Sequence, residues 1–380
     1  TIDVAGRQRM LSQRMSKEFL LVAKGINADA NKVKMLGSIK LFDSTLHDLI
    51  DGNSSKLIAA APSQRTKEAL HVVLDMWRPF RQLLENCVDV VRAPNGQVDV
   101  AILEEVAAGN LPLLRESNAA VGMLVDDAKS SGAQTAGLVV DIAGRQRMLI
   151  QRMVKEVLLV AHNVSATANV ANLRGASALF SDSHAGIILG ATWVGVPRLR
   201  KMCTLQQMRT VTYNWQQFRP IVDQILGEDT ASEIQSKASE LTPTLVDLSV
   251  PLFTSMVEAV RLYVRDDGSC NPLDSITISE WVYLINNVGK QRFLGQQITV
   301  LYMMVANGVD VQNSKVALTV KLVDTHVHLR SLVEGSIANG IPAPPTQEIA
   351  DQLLSADATW TELQAAVSYA INHDMTDVHT

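Results

Sequence analysis

Apolar residues recur three and four positions apart along most of the chain. Leu11, Met15, Phe19 and Val22 form one such stripe, and Leu36, Ile39, Leu46, Leu49 and Ile50 another; these spacings place side chains on one face of a helix. The alternation of a half-buried strand is nearly absent, so the pattern predicts an all-α protein. Two further helices follow the first two, from about Gln64 to Val91 around Trp77 and from about Val98 to Ala128, separated by the turn Ala93-Pro94-Asn95-Gly96. Pro79 and Pro220 fall inside the third-helix pattern and are expected to kink or break it.

The same pattern returns twice. Residues 3–23, DVAGRQRMLSQRMSKEFLLVA, and 141–161, DIAGRQRMLIQRMVKEVLLVA, are identical at seventeen of twenty-one positions, and a worn third copy, NVGKQRFLGQQITVLYMMVA, starts at Asn287. From the motif glycines Gly6, Gly144 and Gly289, a glycine follows 46 residues on (Gly52, Gly190, Gly335) and a tryptophan 71 on (Trp77, Trp215, Trp360), with no gap needed. Gly25, Asn163 and Gly308 lie 19 residues on and suit the left-handed residue that follows a helix C-terminus. The repeat predicts tandem up-and-down four-helix bundles over 1–132, 137–268 and 278–380, the third degenerate and truncated. Joints are expected at 130–136 and 266–272. At the first, which contains no proline, the last helix of copy one is expected to run straight into the first helix of copy two.

The chain has 380 residues, 47% hydrophobic and 19% charged, with a net charge of -5. That balance describes a folded protein and not a disordered one. No window approaches the roughly 18 to 20 apolar residues of a membrane-spanning helix, and no basic run tracks a phosphate backbone. A soluble fragment that does not bind nucleic acid is expected, with any membrane attachment through segments absent from it. Cys87, Cys203 and Cys270 form neither a CxxC pair nor a metal-ligand spacing, and they leave the redox compartment open.

The chemistry sits in AGRQRMLSQRMSKE, which puts Arg7, Arg9, Arg14 and Lys17 within a few turns of one helix. The plainest interpretation is a solvated basic face. Against it, Gly6, Gln8, Arg9 and Gln13 lie off the apolar stripe yet are identical in copies one and two, while the stripe itself drifts, Phe19 becoming Val157. Glycine in the first turn of a helix costs about 1 kcal/mol relative to alanine unless a second chain approaches closely, so Gly6 suggests a helix–helix contact. Arg9 is its neighbour three residues on. Two such helices face to face bring two guanidiniums together, an arrangement that a small planar oxyanion relieves by taking a fork of donors from each side.

AGRQRMLSQRM resembles the signature of the PilJ-type domain, the N-terminal domain of type IV pili methyl-accepting chemotaxis transducers, which is related to the sensor domains of NarX/NarQ-type nitrate/nitrite kinases. Phe42 with Leu46 and Leu49 before Gly52, the stretch Trp77-Pro79-Phe80 and Leu111-Pro112-Leu113-Leu114 are similar as well. The resemblance implies an extracytoplasmic four-helix bundle that binds a small ligand and signals by helix displacement; no Ser-His-Asp or Cys-His arrangement and no glycine-rich phosphate loop stands out, so neither an enzyme nor a cofactor is expected. It also implies ligand contacts from Gly6 and Arg9, Gly144 and Arg147, and Gly289 and Arg292; Arg7, Gln13, Arg14, Arg145, Gln151 and Arg152, beside them in the motif, are candidates to support those contacts. The ligand it suggests is nitrate or nitrite, held between first helices of two chains or of copies one and two. The alternative is a structural or interaction module in which the motif arginines pair with carboxylates such as Glu18 or Asp43.

Other signals carry less. Asp324, His326 and His328 form a DxHxH string, but in register with the second helix of the other copies, where residues two apart do not share a face. No metal site is expected there. The three tryptophans at equal offsets are expected to anchor the core. The sequons at Asn53 and Asn163 bear only on a eukaryotic secretory route.

Overall fold

The computed structural model describes residues 1–130, 134–191, 195–199, 201–264 and 277–372. Eleven α-helices account for most of them: α1 (Ile2–Lys24), α2 (Ala28–Asp51), α3 (Gln64–Cys87), α4 (Val100–Ser130), α5 (Gln134–Ala161), α6 (Ala166–Leu189), α7 (Met202–Leu226), α8 (Ala231–Val264), α9 (Ile278–Ala306), α10 (Val311–Glu334) and α11 (Gln347–Asn372). The described residues form no strand beyond four isolated bridges, so the protein is all-α. The structure has two compact units, Thr1–Arg198 with Asn214–Asp266, and Leu199–Tyr213 with Asp267–Thr380.

The repeat is visible in local geometry. α1 and α5 end just before Gly25 (φ 78°) and Asn163 (φ 57°), and α9 ends before Gly308 (φ 71°), the left-handed residues expected at those stops. Gly52, Gly190 and Gly335 close α2, α6 and α10 at φ 83°, 87° and 77°, and each opens a turn clipped by one bridge: Asn53 to Ile58, Ala191 to Val196, Ser336 to Ile341. A side chain on Gly52 would meet the Ala60 backbone nitrogen at 3.0 Å, so both conformation and space require glycine there. Trp77, Trp215 and Trp360 are buried. Trp77 stacks at a tilt on Phe42 and donates its indole N–H to Asp43.

Two expectations meet the structure here. Of the kink or break expected at Pro79 and Pro220, the break does not occur: α3 and α7 each continue through the proline, as a helix can when the one lost backbone bond is outweighed by tertiary packing. And α4 does not run straight into α5. The two helices lie side by side and antiparallel, Asn110 of α4 accepting a hydrogen bond from Lys155 of α5 at 2.9 Å. Residues 131–133 and the second expected joint lie outside the described residues.

In the first unit α1 packs along α2, α4 and α5, and α5 along α6 and α8. α1 is therefore covered on nearly every side. Sixteen of its residues are buried, Gln8, Arg9, Gln13 and Glu18 among them. That is why polar motif positions off the apolar stripe are retained: they are interior. In the second unit α9 packs on α10, and α10 on α11, around Ile298, Leu318, Leu322, Leu329, Trp360 and Val367.

Candidate functional site

The first helices of copies one and two run parallel and in contact. Asn110 takes hydrogen bonds from both Gln13 and Lys155, and farther along the charge of Lys24 acts on His162. In both helices the motif arginine folds back over its glycine. A Cβ on Gly6 would lie 3.2 Å from Arg9 Nη2, and one on Gly144 3.4 Å from Arg147 Nη2. The glycine thus seats its own helix's guanidinium, since helical side chains lean toward the N-terminus; the close approach expected of a partner backbone is made by the arginine instead.

From that seat each guanidinium crosses to the other helix. Arg9 Nη2 donates to Asp141 Oδ1 at 2.6 Å and Arg147 Nη2 to Asp3 Oδ1 at 2.6 Å. Because Asp3 and Asp141 hold the same repeat position, the seam has internal two-fold character, like an isologous dimer built within one chain. Each aspartate is also held by the arginine one turn on in its own helix, Arg7 to Asp3 at 3.3 Å and Arg145 to Asp141 at 2.8 Å. Arg9 Nη1 reaches Asn118 Oδ1 at 3.3 Å.

Four guanidiniums therefore surround two carboxylates. Burial lowers the pKa of Arg9, opposed by Asp141 and reinforced by Arg145 and Arg147. Arg147 is lowered by burial too, against the pull of Asp3. Burial pushes Asp3 up, but Arg147 and Arg7 outweigh it and hold the carboxyl below its ordinary value. The buried Nε–H groups of Arg9 and Arg147 have no acceptor among the described residues.

One turn deeper, Asn110 of α4 joins the helices. Its Oδ1 accepts from Gln13 Nε2 at 3.0 Å and Lys155 Nζ at 2.9 Å, and its Nδ2 donates to the Ser12 carbonyl and Ser16 Oγ. Gln13 and Gln151 are buried, each with an unpartnered Oε1. Arg14 and Arg152 turn away from the seam to Glu18 (2.8 Å) and Glu156 (3.2 Å). Asp43 pairs with Trp77 and Arg81, not with a motif arginine.

The motif glutamine does the same thing three times. Gln8 bonds Thr45, Gln146 bonds Ser183 and Gln291 bonds His328, one position on the second helix of each copy. His328 then donates its other ring nitrogen to Asn287, so both nitrogens are engaged in packing α9 on α10. The third copy keeps the seat without the seam: Gly289 lies 3.8 Å from Arg292 Nη2 by the same measure, but Arg292 is exposed and has no ion pair among the described residues.

The sequence reading missed Asp3, Asp141, Asn110 and Asn118. The aspartates stand in the duplicated block, and their identity in both copies was the available signal. Aligned on Pro112-Leu113 and Pro251-Leu252, which stand 106 and 107 residues after their motif glycines, Asn110 corresponds to Ser249 in copy two, so the repeat offered none.

The family described as type IV pili methyl-accepting chemotaxis transducer N-terminal domain matches residues 1–101 and 130–241, covering the α1–α5 seam. Among curated proteins, the methyl-accepting chemotaxis protein McpN of Pseudomonas aeruginosa is 27% identical over 212 residues, 53% of this chain and 37% of the relative. The match thus spans little more than a third of that relative's length. No solved structure matches the chain.

Proposed function

The chain belongs to the family of type IV pili methyl-accepting chemotaxis transducer N-terminal domains, and from that premise we propose that it is the ligand-sensing part of a signalling protein, with the α1–α5 seam as the input site. Its ligand is a small planar anion, nitrate or nitrite by preference, gripped by Arg9 and Arg147 over Gly6 and Gly144. The observation that carries this reading is the charge imbalance: four guanidiniums, the buried Arg9 and Arg147 and the partly exposed Arg7 and Arg145, meet two carboxylates, and the buried Nε–H groups of Arg9 and Arg147 have no acceptor among the described residues. An anion supplies both the missing charge and the missing acceptors. By competing with Asp3 and Asp141 it loosens the cross-links between α1 and α5, and the helices shift against each other. The disulfide-bonded Cys203 fits an oxidising, extracytoplasmic compartment. No described helix is long and apolar enough to cross a membrane.

A second reading also has an observation behind it. Each buried guanidinium already holds a carboxylate of the opposite helix, the arrangement expected of an interaction module whose seam takes no ligand. Calorimetry separates the two. Nitrate, nitrite, sulfate and chloride are titrated at matched ionic strength into the chain and into Arg9→Ala/Arg147→Ala. Saturable binding of one anion, lost in the variant, supports the sensor; no binding by the folded chain leaves the interaction module.

A further inference from the structure

The third copy contains an open cavity of about 480 Å³ between α9 and α10, closed at one end by the turn that follows α10. Its volume falls in the range of small-molecule sites, roughly 300 to 1,000 Å³. Leu294, Val327 and Ile341 give it apolar lining, and Lys290, Lys321 and Asp324 bring charge to it.

The repeat shows what is peculiar to this copy. In the gap-free register Asp324 stands where copies one and two have Leu41 and Leu179, and Lys321 where they have Ser38 and Ala176. Ser38 is buried and donates to Glu18, whose counterpart in copy three is Leu301, so the position is released from that bond. Lys290 keeps the charge of Arg7 and Arg145, but the aspartate that each of those arginines holds is Asn286 here. Lys290 has no ion pair among the described residues, and Lys321 approaches Asp324 only to 3.7 Å. The rim, by contrast, is already bonded: Tyr283 donates to the Asn339 carbonyl, and His328 is held by Gln291 and Asn287. What the cavity offers a guest is a cation with no ion pair among the described residues, a loosely held carboxylate and apolar lining.

We propose that this cavity binds a small zwitterion, an α-amino acid with an aliphatic side chain, its carboxylate on Lys290, its ammonium on Asp324 and its side chain against Leu294, Val327 and Ile341. A simple anion leaves Asp324 facing it with like charge, and a simple cation meets two lysines. Only a molecule carrying both charges and an apolar end uses all three features. The site is separate from the α1–α5 seam and does not depend on the anion reading.

The test is calorimetry on the whole chain with L-valine, isobutyrate and isobutylamine, the last two each retaining one charge and the same branched end. L-Valine is expected to bind saturably and at least tenfold more tightly than either analogue. Asp324→Leu, which installs the residue of the other two copies, and Lys290→Met, at an exposed position, are each expected to weaken it tenfold or more, with helicity checked by circular dichroism. If Asp324→Leu does not fold, Lys290→Met alone decides. No saturable L-valine binding by the folded chain, isobutyrate binding as tightly as L-valine, or unchanged affinity in the folded variants overturns the assignment. Neither variant alters Arg9 or Arg147, so failure here does not bear on the anion site.

Discussion

Arg9 Nη2 and Asp141 Oδ1 lie 2.6 Å apart across the α1–α5 seam, and Arg147 and Asp3 repeat the contact with the helices exchanged. Both members of the first pair are almost wholly buried. Removing one partner therefore strands the other, at a cost of about 3 to 5 kcal/mol. Arg9→Met and Asp141→Leu are each expected to destabilise the chain by about 3 kcal/mol or somewhat less, because Arg145 still holds Asp141 and Asn118 still holds Arg9. The double variant is expected to recover most of that loss. Urea denaturation of the four proteins measures the coupling, and additive losses would show that the pair does not interact.

The three motif glycines set up a graded experiment. Alanine gains roughly 1 kcal/mol over glycine in a helix interior, but at Gly6 its Cβ comes within 3.2 Å of a guanidinium tied to Asp141, at Gly144 within 3.4 Å, and at Gly289 only within 3.8 Å of an untied one. Stability is expected to rise in the order Gly6→Ala, Gly144→Ala, Gly289→Ala, the last exceeding the unsubstituted chain. Equal effects in thermal melts at all three sites would remove the seat argument.

Much of this architecture was legible because the chain states it more than once. Gly25, Asn163 and Gly308 stop their helices where equal offsets said they would, and the tryptophans are in the core. What periodicity does not carry is the relation between copies. A hydrophobic stripe says that a helix has a buried side; it does not say that α1 is buried on nearly every side, which depends on α5 arriving from 138 residues later in the chain. The close approach expected of a second chain at Gly6 is made instead by Arg9 of the same helix, because rotamer direction and not spacing puts that guanidinium over the glycine. The antiparallel turn from α4 to α5 was missed because the absence of proline at a joint permits a continuous helix without requiring one.

Asn110 has no counterpart of its kind, and that asymmetry is measurable. Asn110→Ala leaves buried Lys155 with Glu156 as its remaining partner at 3.2 Å, and strips acceptor and donor from Gln13 and Ser16. A loss of about 2 to 3 kcal/mol follows from the unsatisfied groups. Ser249, at the matching place in α8, donates to the Val246 carbonyl within its own helix and has no other hydrogen-bond partner among the described residues. Ser249→Ala is expected to change stability by less than about 0.5 kcal/mol. Equal losses from the two substitutions would mean that Asn110 is not the bridge between the seam helices.

His184 should make the first unit sensitive to mild acid. Burial lowers its pKa from 6.5 to about 4, and its ring stacks on Phe180 with centroids 5.7 Å apart. In the unfolded chain it takes up a proton below about pH 6.5, whereas the folded chain resists until about pH 4. Its contribution is therefore complete above pH 6.5 and declines as the pH falls toward 4, at up to about 1.4 kcal/mol per pH unit. His162, lowered to about 4 by burial with Lys24 and Arg92 beside it, acts in the same direction and more weakly because it is partly exposed. Asp3, held below its ordinary 3.8, loses its contribution only at lower pH and does not confuse the window. Leucine stands at the matching position in the other copies, Leu46 and Leu329, so His184→Leu is a substitution the fold already accommodates. Unfolding free energies at pH 7 and pH 5 are expected to differ by about 1 to 2 kcal/mol less in the variant than in the parent. An unchanged difference would mean that the imidazole already takes up its proton in the folded state, and that the pocket beside Phe180 is open to water.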